Sequence, residues 1–130
     1  MIMGMQPHSI TLYGIPNCDS VKKARAWLAA QETVHQFFDF KKQGVPEQRL
    51  TTWVETLGWT PLINTRGTTW RKLDDATRAG VADSPAAIAL MLAHPSVIKR
   101  PVIEWGNCSV SVGFDSVDWH ERLGLTNRKD

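Results

Sequence analysis

The sequence predicts one α/β domain, spanning residues 1–130, in which a run of helices at approximately 45–95 interrupts a small sheet. Three observations support this fold class. The N-terminal third reads as strand, helix and strand. The middle third repeats apolar residues at the three- and four-residue steps of amphipathic helices. The C-terminal third holds two short β-type segments followed by one more helical pattern, so the sheet resumes after the helices.

Composition limits the classes of function. Of the 130 residues, 42% are hydrophobic, which is enough apolar material for one core. The formal net charge of +2 is far below the basic excess of a dedicated nucleic-acid binder. No apolar run approaches the roughly 20 residues of a membrane-spanning helix, and the first eight residues lack the regions of a signal peptide. We therefore expect a cytoplasmic protein that binds neither nucleic acid nor membrane.

The first predicted unit is β-α-β. The segment SITLYGI (9–15) alternates and is rich in β-branched and aromatic residues, and glycine and proline end it. Residues 20–31 follow as a helix, and VHQFFDF (34–40) reads as a second strand. The apolar stripe of the helix consists of Val21, Ala24, Trp27 and Leu28. The handedness rule makes the two strands parallel with a right-handed crossover.

Two longer helices are predicted in the middle of the chain. Pro46 suits the first position of one helix, and Gly58 suits the position after its end. In the next helix Ser84 is a suitable cap, Pro85 occupies the first turn and Pro95 ends it. The apolar stripe of the first of these helices consists of Leu50, Trp53, Val54 and Leu57. The middle third is therefore expected to be helical.

The C-terminal third is predicted as a hairpin and a helix. After Pro101, VIEW (102–105) and SVSVGF (109–114) read as strands joined by a Gly-Asn turn. Asp115 is placed to cap a last helix that ends near Gly124. The full order of elements matches a thioredoxin-like fold with an inserted helical subdomain.

Three sequence blocks carry a resemblance to a known family. TLYGIPNCDSVKKARAWL, NTRGTTWRKL and IKRPVI, with VGF further on, resemble the ArsC/Spx family of arsenate reductase-like proteins, most closely its YffB-like branch. The resemblance runs from about Thr11 to about Leu123, with the blocks in the expected order. It implies the same thioredoxin-like domain with a helical insert, and redox chemistry at one cysteine.

Cys18 is the candidate nucleophile. It stands just before the first predicted helix, where free backbone N–H groups and the positive helix end stabilise a thiolate. Lys22 and Lys23 add positive charge nearby, whereas Asp19 opposes ionisation. Position alone fits a small buried cysteine about as well as a reactive one. The family motif around Cys18 implies the catalytic thiol.

The thiol that resolves a Cys18 adduct is not part of a local motif. A Cys-x-x-Cys pair would need its second cysteine at position 21, which is Val21. Spx regulators typically use such a pair as a switch, so this position departs from their pattern. The resolving thiol then comes from glutathione, from a partner protein such as glutaredoxin, or from Cys108, which we interpret as incidental.

Two arginines are candidate anion contacts. Each of Arg66 and Arg100, taken alone, reads as a solvated surface residue. The resemblance implies that both hold an oxyanion near the cysteine, a task that suits the planar, permanently charged guanidinium. A third arginine of the arsenate reductases, after the third strand, has no counterpart between Pro101 and Glu121. Arsenate reduction is therefore expected to be weak.

The remaining site assignments also follow from the resemblance. It implies a cis peptide bond between Arg100 and Pro101, beside the active-site cysteine, with backbone there free to pair with an extended thiol peptide such as glutathione. It also implies that Asn17, Ser20 and Gly67 shape the site. The four histidines are scattered without ligand spacing, so we expect no metal and no bound cofactor.

These observations lead to one preferred function and two alternatives. The preferred function is a thiol-dependent reductase that uses glutathione as a co-substrate. The enzyme alternative is arsenate reduction proper. The alternative from another class is an Spx-like regulator that binds RNA polymerase without chemistry, which we do not expect because of Val21.

Overall fold

A four-stranded mixed sheet forms the centre of the protein. The computed structural model describes residues 9–106 and 109–124. The strands are β1 (Thr11–Gly14), β2 (Gln36–Asp39), β3 (Val102–Glu104) and β4 (Val110–Val112), in the spatial order β2-β1-β3-β4. β1 and β2 are parallel, and the other pairs are antiparallel. This confirms the predicted β-α-β unit and the C-terminal pair of strands, whereas residues 107 and 108 of their turn lie outside the described residues.

Seven α-helices lie within the described residues. They are α1 (Asp19–Ala30), α2 (Phe40–Gln43), α3 (Glu47–Leu57), α4 (Thr68–Lys72), α5 (Asp75–Ala79), α6 (Ser84–Ala93) and α7 (Ser116–Arg122). Short 3-10 turns at Thr60–Leu62 and Pro95–Val97 follow α3 and α6. All helices from α2 to α6 therefore lie between β2 and β3. Within the described part of the chain, no helix is long and apolar enough to cross a bilayer.

Helix starts account for most differences from the sequence prediction. Phe40 begins α2 instead of ending a strand, because the Asp39 side chain accepts a hydrogen bond from the Lys41 N–H at 2.8 Å. The predicted cap of α6, Ser84, is wrong: Asp83 caps this helix and accepts from the Ala86 N–H at 3.0 Å. With Asp83 as the cap, its carboxylate reaches the third amide of the helix, and Pro85 falls at the second position, where no N–H donor is needed.

Two other helix starts agree more closely with prediction. Pro46 is the N-cap residue of α3, one position before the one predicted for it. Asp115 caps α7 as predicted and accepts hydrogen bonds from the N–H groups of Val117 and Asp118, both at 3.1 Å. These ends are set by local chemistry that can be read from the sequence.

The sheet separates two apolar clusters. Leu12 of β1 packs with Val21 of α1 and Trp119 of α7 on one face. Its neighbour Tyr13 packs on the opposite face with residues of the helical segment, including Trp53 of α3. Successive side chains of a strand point to opposite faces, so β1 contributes to both cores. The architecture is thus three layers, with α1 and α7 on one side of the sheet and α3 and α6 on the other.

Glu104 joins the sheet to the helical segment. Its Oε1 accepts a hydrogen bond from Tyr13 Oη at 2.8 Å, and its Oε2 accepts one from Trp53 Nε1 at 2.8 Å. Arg49 lies 3.7 Å from the same Oε2 atom. Burial and the neighbouring carboxylate raise the pKa of Tyr13 above its ordinary value, so the phenol stays protonated and continues to donate. One carboxylate therefore connects β1, β3 and α3.

Candidate active site

Cys18 lies where β1 passes into α1. It is the N-cap residue of α1, with an extended backbone (φ −148°, ψ 124°), and its carbonyl accepts from the Lys22 N–H at 2.9 Å. Its side chain is half-buried, and Ser20 and Val21 follow in the first turn. Their backbone N–H groups lower the pKa of the thiol, although the Cys18 side chain forms no capping hydrogen bond. The sulfur thus lies at the positive end of a three-turn helix.

The tight packing below Cys18 depends on a missing side chain. A Cβ atom built on Gly14 would lie 2.7 Å from Cγ2 of Val21 and 3.9 Å from Cβ of Arg100. The end of β1 therefore approaches α1 more closely than any residue with a side chain allows, whereas its distance to Arg100 is that of ordinary contact. Gly14 thus lets β1 and the first turn of α1 pack closely next to Cys18.

The surroundings of Cys18 favour the thiolate. Burial raises the pKa of the thiol, but the nearby Val21 and Ser20 amides and the adjacent Arg100 guanidinium outweigh it, so the pKa lies below its ordinary value. The lysines of the first turn and Asp19, which the sequence suggested as further influences, are not among the groups that shift it. The ionisation of Cys18 is thus set by helix amides and one guanidinium.

Arg100 is held beside the sulfur by its own loop. Its Nη1 donates to the carbonyl of Ser96 at 3.1 Å and to that of Ile98 at 3.2 Å. Its Nε is buried and has no hydrogen-bond partner among residues 9–106 and 109–124. The guanidinium is therefore fixed in direction, and one of its donors is unused.

Pro101 follows in a cis peptide bond with Arg100, which confirms the geometry implied by the resemblance. In the β1–β3 register Tyr13 is opposite Val102, so Gly14 and Pro101 meet at the same end of the sheet. The Pro101 carbonyl accepts from the Gly113 N–H at 2.8 Å, which ties this loop to the end of β4.

Arg66 is placed differently. It is exposed, in the turn that precedes α4, and its backbone N–H donates to Asn64 Oδ1 at 3.2 Å. Its guanidinium forms no hydrogen bond or ion pair with the part of the chain that the structure describes. Gly67 follows, with Asn64 Nδ2 only 2.8 Å from where its Cβ would be. The contacts at the sulfur involve Arg100 and not Arg66.

The loop that carries Arg66 and the loop that carries Arg100 nevertheless both follow one short pair of hydrogen-bonded segments, called the ladder below. Ile63 and Ile98 form an antiparallel bridge, the Asn64 N–H donates to the Val97 carbonyl, and the Lys99 N–H donates to the Leu62 carbonyl, each at 2.8 Å. Arg100 folds back along this ladder to reach Ser96. The ladder therefore relates the two loops, but no hydrogen bond or ion pair within the described residues joins Arg66 to Cys18 or Arg100.

The other predicted site-shaping residues, Asn17 and Ser20, flank Cys18. Asn17 is exposed in the turn before α1, and Ser20 is exposed in its first turn. Sequence reasoning did not assign a role to Lys99, although the Lys-Arg-Pro run places it next to Arg100. Within the described residues no group of three or more His, Cys, Asp or Glu side chains is arranged to hold a metal ion.

Comparisons with known proteins agree with this geometry. A model of the ArsC family matches residues 13–122. The solved structure of a YffB protein is 43% identical, covers 88% of this chain and 99% of its own, and superimposes with a TM-score of 0.83. An arsenate reductase (ArsC) related protein from Brucella melitensis is 41% identical, with coverages of 88% and 94% and a TM-score of 0.70. The global transcriptional regulator Spx of Streptococcus mutans is 31% identical over 92% of this chain and 87% of its own length.

Proposed function

The chain belongs to the ArsC family, and we propose that it is a thiol-dependent reductase in which Cys18 is the nucleophile and glutathione the co-substrate. The observation that carries this proposal is the position of the sulfur. It lies at the N-terminus of α1 beside the Arg100 guanidinium, and the helix amides and this guanidinium lower the pKa of the thiol despite burial. A thiolate is the reactive form of cysteine in disulfide exchange.

The proposed reaction has two exchange steps. First, the Cys18 thiolate attacks the glutathione sulfur of a mixed disulfide between glutathione and an acceptor. The S–S bond breaks, and the acceptor thiolate leaves with the electron pair and takes a proton from solvent. Second, the thiolate of another glutathione attacks the glutathione sulfur held by Cys18, which releases oxidised glutathione and restores the Cys18 thiolate. One mixed disulfide and one glutathione thus give one acceptor thiol and one oxidised glutathione.

Arg100 and Pro101 would bind the thiol substrate during both steps. The free, buried Nε of Arg100 is a donor for an oxygen or sulfur atom close to Cys18. The backbone before Pro101 would pair with the extended glutathione peptide. Arg66, exposed in the turn before α4, would contact an anionic group of the acceptor. Because such exchange needs a compartment that keeps thiols reduced, the proposal places the protein in the cytoplasm, and glutaredoxin would serve as an alternative resolving partner.

Arsenate is the less favoured acceptor. A tetrahedral arsenate adduct of Cys18 needs donors for several oxygens as charge develops on them. In the described structure Arg100 is the one guanidinium at the sulfur, and two carbonyls already occupy its Nη1. We therefore expect disulfide exchange to be faster than arsenate reduction.

A regulatory function deserves a test because an Spx protein is 31% identical to this chain. Position 21, where a second cysteine would complete a local redox pair with Cys18, holds Val21, fully buried against the core. We expect no stable complex with RNA polymerase and no direct DNA binding. A pull-down from cell extract that recovers polymerase subunits at stoichiometric levels would favour the regulator instead.

The enzyme proposal is tested by a glutathione-coupled panel. Oxidised glutathione is followed through glutathione reductase and NADPH, with a glutathione mixed disulfide, hydroxyethyl disulfide and arsenate as acceptors. Wild-type protein should turn over the disulfides, and Cys18→Ser should lose this activity at least a hundredfold, because a hydroxyl cannot form the mixed disulfide. Cys108→Ser is the matched control and should retain activity. Equal rates for wild type and Cys18→Ser would reject the proposal.

A further inference from the structure

A cavity of about 390 Å³ lies between α1 and the segment that precedes β2. Its basic lining residues are Lys22, Arg25 and His35. Its small apolar walls come from Pro16, Ala26 and Ala29. Within the described part of the chain no carboxylate lines it. The volume is within the roughly 300–1,000 Å³ range of small-molecule sites, so the space suits a small molecule, and the charge of its walls favours an anion.

The Arg25 guanidinium is held in place from two sides. Its central carbon lies 4.4 Å from the centroid of the Phe37 ring, and its Nε donates to Nε2 of His35 at 3.3 Å. Burial and the nearby Arg25 charge hold the pKa of His35 below its ordinary value, so the imidazole is neutral at neutral pH and accepts this hydrogen bond. The two Nη groups of Arg25 form no hydrogen bond or ion pair with residues 9–106 and 109–124. They are the pair of donors with which a guanidinium binds two oxygens of one anion.

The charges on this side of α1 are not balanced by the chain. Lys22 stands three residues before Arg25, so the two cations are neighbours on the helix surface and repel each other. The positions four residues after each of them, where a glutamate would pair with the cation, hold Ala26 and Ala29. Asp19 lies one turn before Lys22 but forms no ion pair with it in the described structure. The alanines thus supply no counter-charge and leave the space beside both cations open.

We propose that this cavity binds a phosphate monoester with a small apolar group, through Arg25 and Lys22. Two cations without a carboxylate are the complement of the nearly two negative charges that a phosphate monoester carries above its second pKa of about 6. The Arg25 fork binds two phosphate oxygens, Lys22 acts on them as a point charge, and the apolar group packs against the small apolar walls.

Two consequences follow for the other residues of the region. His35 is a positioning residue, since it acts on the ligand through Arg25. The site goes beyond the proposed reductase function and does not depend on it, because Lys22 and Arg25 are not among the groups that shift the pKa of Cys18.

Phenyl phosphate is the probe for this site. It is titrated at low ionic strength and about pH 7.5, where the phosphate is a dianion, by calorimetry and by amide chemical shifts. Arg25→Ala should raise Kd about five- to tenfold through loss of a bidentate contact, and Lys22→Ala about two- to fivefold, as for an exposed charge pair. Arg25→Lys keeps the charge without the fork and should fall between wild type and Arg25→Ala.

Three further variants control the assignment. Lys23→Ala is the matched control, because Lys23 is exposed on the same turn of α1 but lines a different cavity, and it should leave Kd unchanged. His35→Ala removes the acceptor of Arg25 and should raise Kd about twofold, whereas His35→Gln keeps an acceptor and should restore most of the affinity. Thermal unfolding of every variant separates lost binding from lost structure, and the exposed Lys22→Ala should unfold as wild type does.

The ligand arms test the class of anion. Benzoate, with one negative charge, and inorganic phosphate, without an apolar group, should both bind more weakly than phenyl phosphate. Binding of either one as tightly as phenyl phosphate, no saturable binding to wild type, or equal Kd values for Lys22→Ala, Arg25→Ala and wild type would overturn the site. A loss of affinity in Lys23→Ala as large as that in Lys22→Ala would place the anion in the other cavity and would overturn the site as well.

Discussion

The two loops that carry Arg66 and Arg100 begin on the same antiparallel ladder but hold their guanidinium groups in opposite ways. Arg100 is fixed by the carbonyls of Ser96 and Ile98 and lies beside the Cys18 sulfur. The Arg66 side chain is exposed and unpaired within the described residues. A charge that is to lower the pKa of a thiol has to be immobile and close, because solvent screens a mobile one. A charge that contacts acceptors of different shape benefits instead from a mobile side chain.

The largest effect is expected for Arg100→Ala. Removal of the guanidinium leaves the helix amides alone to oppose burial, so the pKa of Cys18 should rise. A thiol with a lowered pKa is ionised above that pKa, so alkylation that is fast at neutral pH in wild type should reach the same rate only at higher pH. We expect disulfide turnover to fall roughly ten- to a hundredfold, by analogy with loss of one preorganised donor. The measurement is iodoacetamide labelling against pH, resolved for Cys18 by peptide mass spectrometry.

Cys108 provides an internal comparison in the same labelling experiment, since both peptides are recovered from each sample. Arg100→Lys keeps a charge but loses the fork that reaches Ser96, and it should fall between wild type and Arg100→Ala. A labelling profile of Cys18 that is the same in Arg100→Ala as in wild type would show that the helix end alone sets the ionisation.

Gly14→Ala should have the next largest effect, a loss of unfolding free energy caused by overpacking. The new methyl group would lie 2.7 Å from Cγ2 of Val21, which is fully buried, so α1 or β1 has to shift. Overpacking of this kind costs about 1–3 kcal/mol of unfolding free energy. Urea denaturation followed by tryptophan fluorescence measures the loss. The Cys18 pKa should rise as well, because the Val21 amide helps to lower it. Unchanged stability and unchanged labelling would contradict the close approach.

Arg66→Ala should leave Cys18 labelling unaltered at every pH. Its exposed guanidinium is not among the groups that act on the thiol. The KM for an anionic mixed disulfide should rise about two- to fivefold, the range of an exposed charge pair, while that for neutral hydroxyethyl disulfide stays constant. Equal changes with both acceptors would argue against an anion contact at Arg66.

Gly67→Ala is the matched small perturbation in the Arg66 loop. Its φ of −78° is ordinary, and the added methyl group would meet the end of the Asn64 side chain and lie 3.4 Å from the Asn64 carbonyl oxygen. Rotation of the Asn64 side chain relieves the closest contact at the cost of one exposed hydrogen bond from the Arg66 N–H. We expect a loss of less than about 1 kcal/mol in unfolding free energy. A loss as large as that of Gly14→Ala would mean that the Arg66 loop is as tightly packed as the Arg100 loop.

The sequence predicts those strands and helices that local residue patterns encode. Strand alternation and the 3.6-residue stripe identify the four strands and the longer helices, since these patterns record which face is buried. The five-residue helices α4 and α5 have no such stripe, and α5 begins where Asp74 accepts from the Thr77 N–H at 2.7 Å. The pairing of Arg100 with the sulfur depends on contacts between distant segments, which no single stretch of sequence displays.

The Glu104 carboxylate has a consequence for how the protein loses its structure. Its hydrogen bonds to Tyr13 and Trp53 join the strand that leads into Cys18 to a helix of the inserted segment. Fraying of α3 would leave a half-buried carboxylate without a donor, so the helical segment and the sheet should open as one cooperative unit. Amide hydrogen exchange would then give the same opening free energy for α3 and β1. The Glu104 contacts, on the opposite face of the sheet from α1, would thus protect the segment around the thiol from local opening.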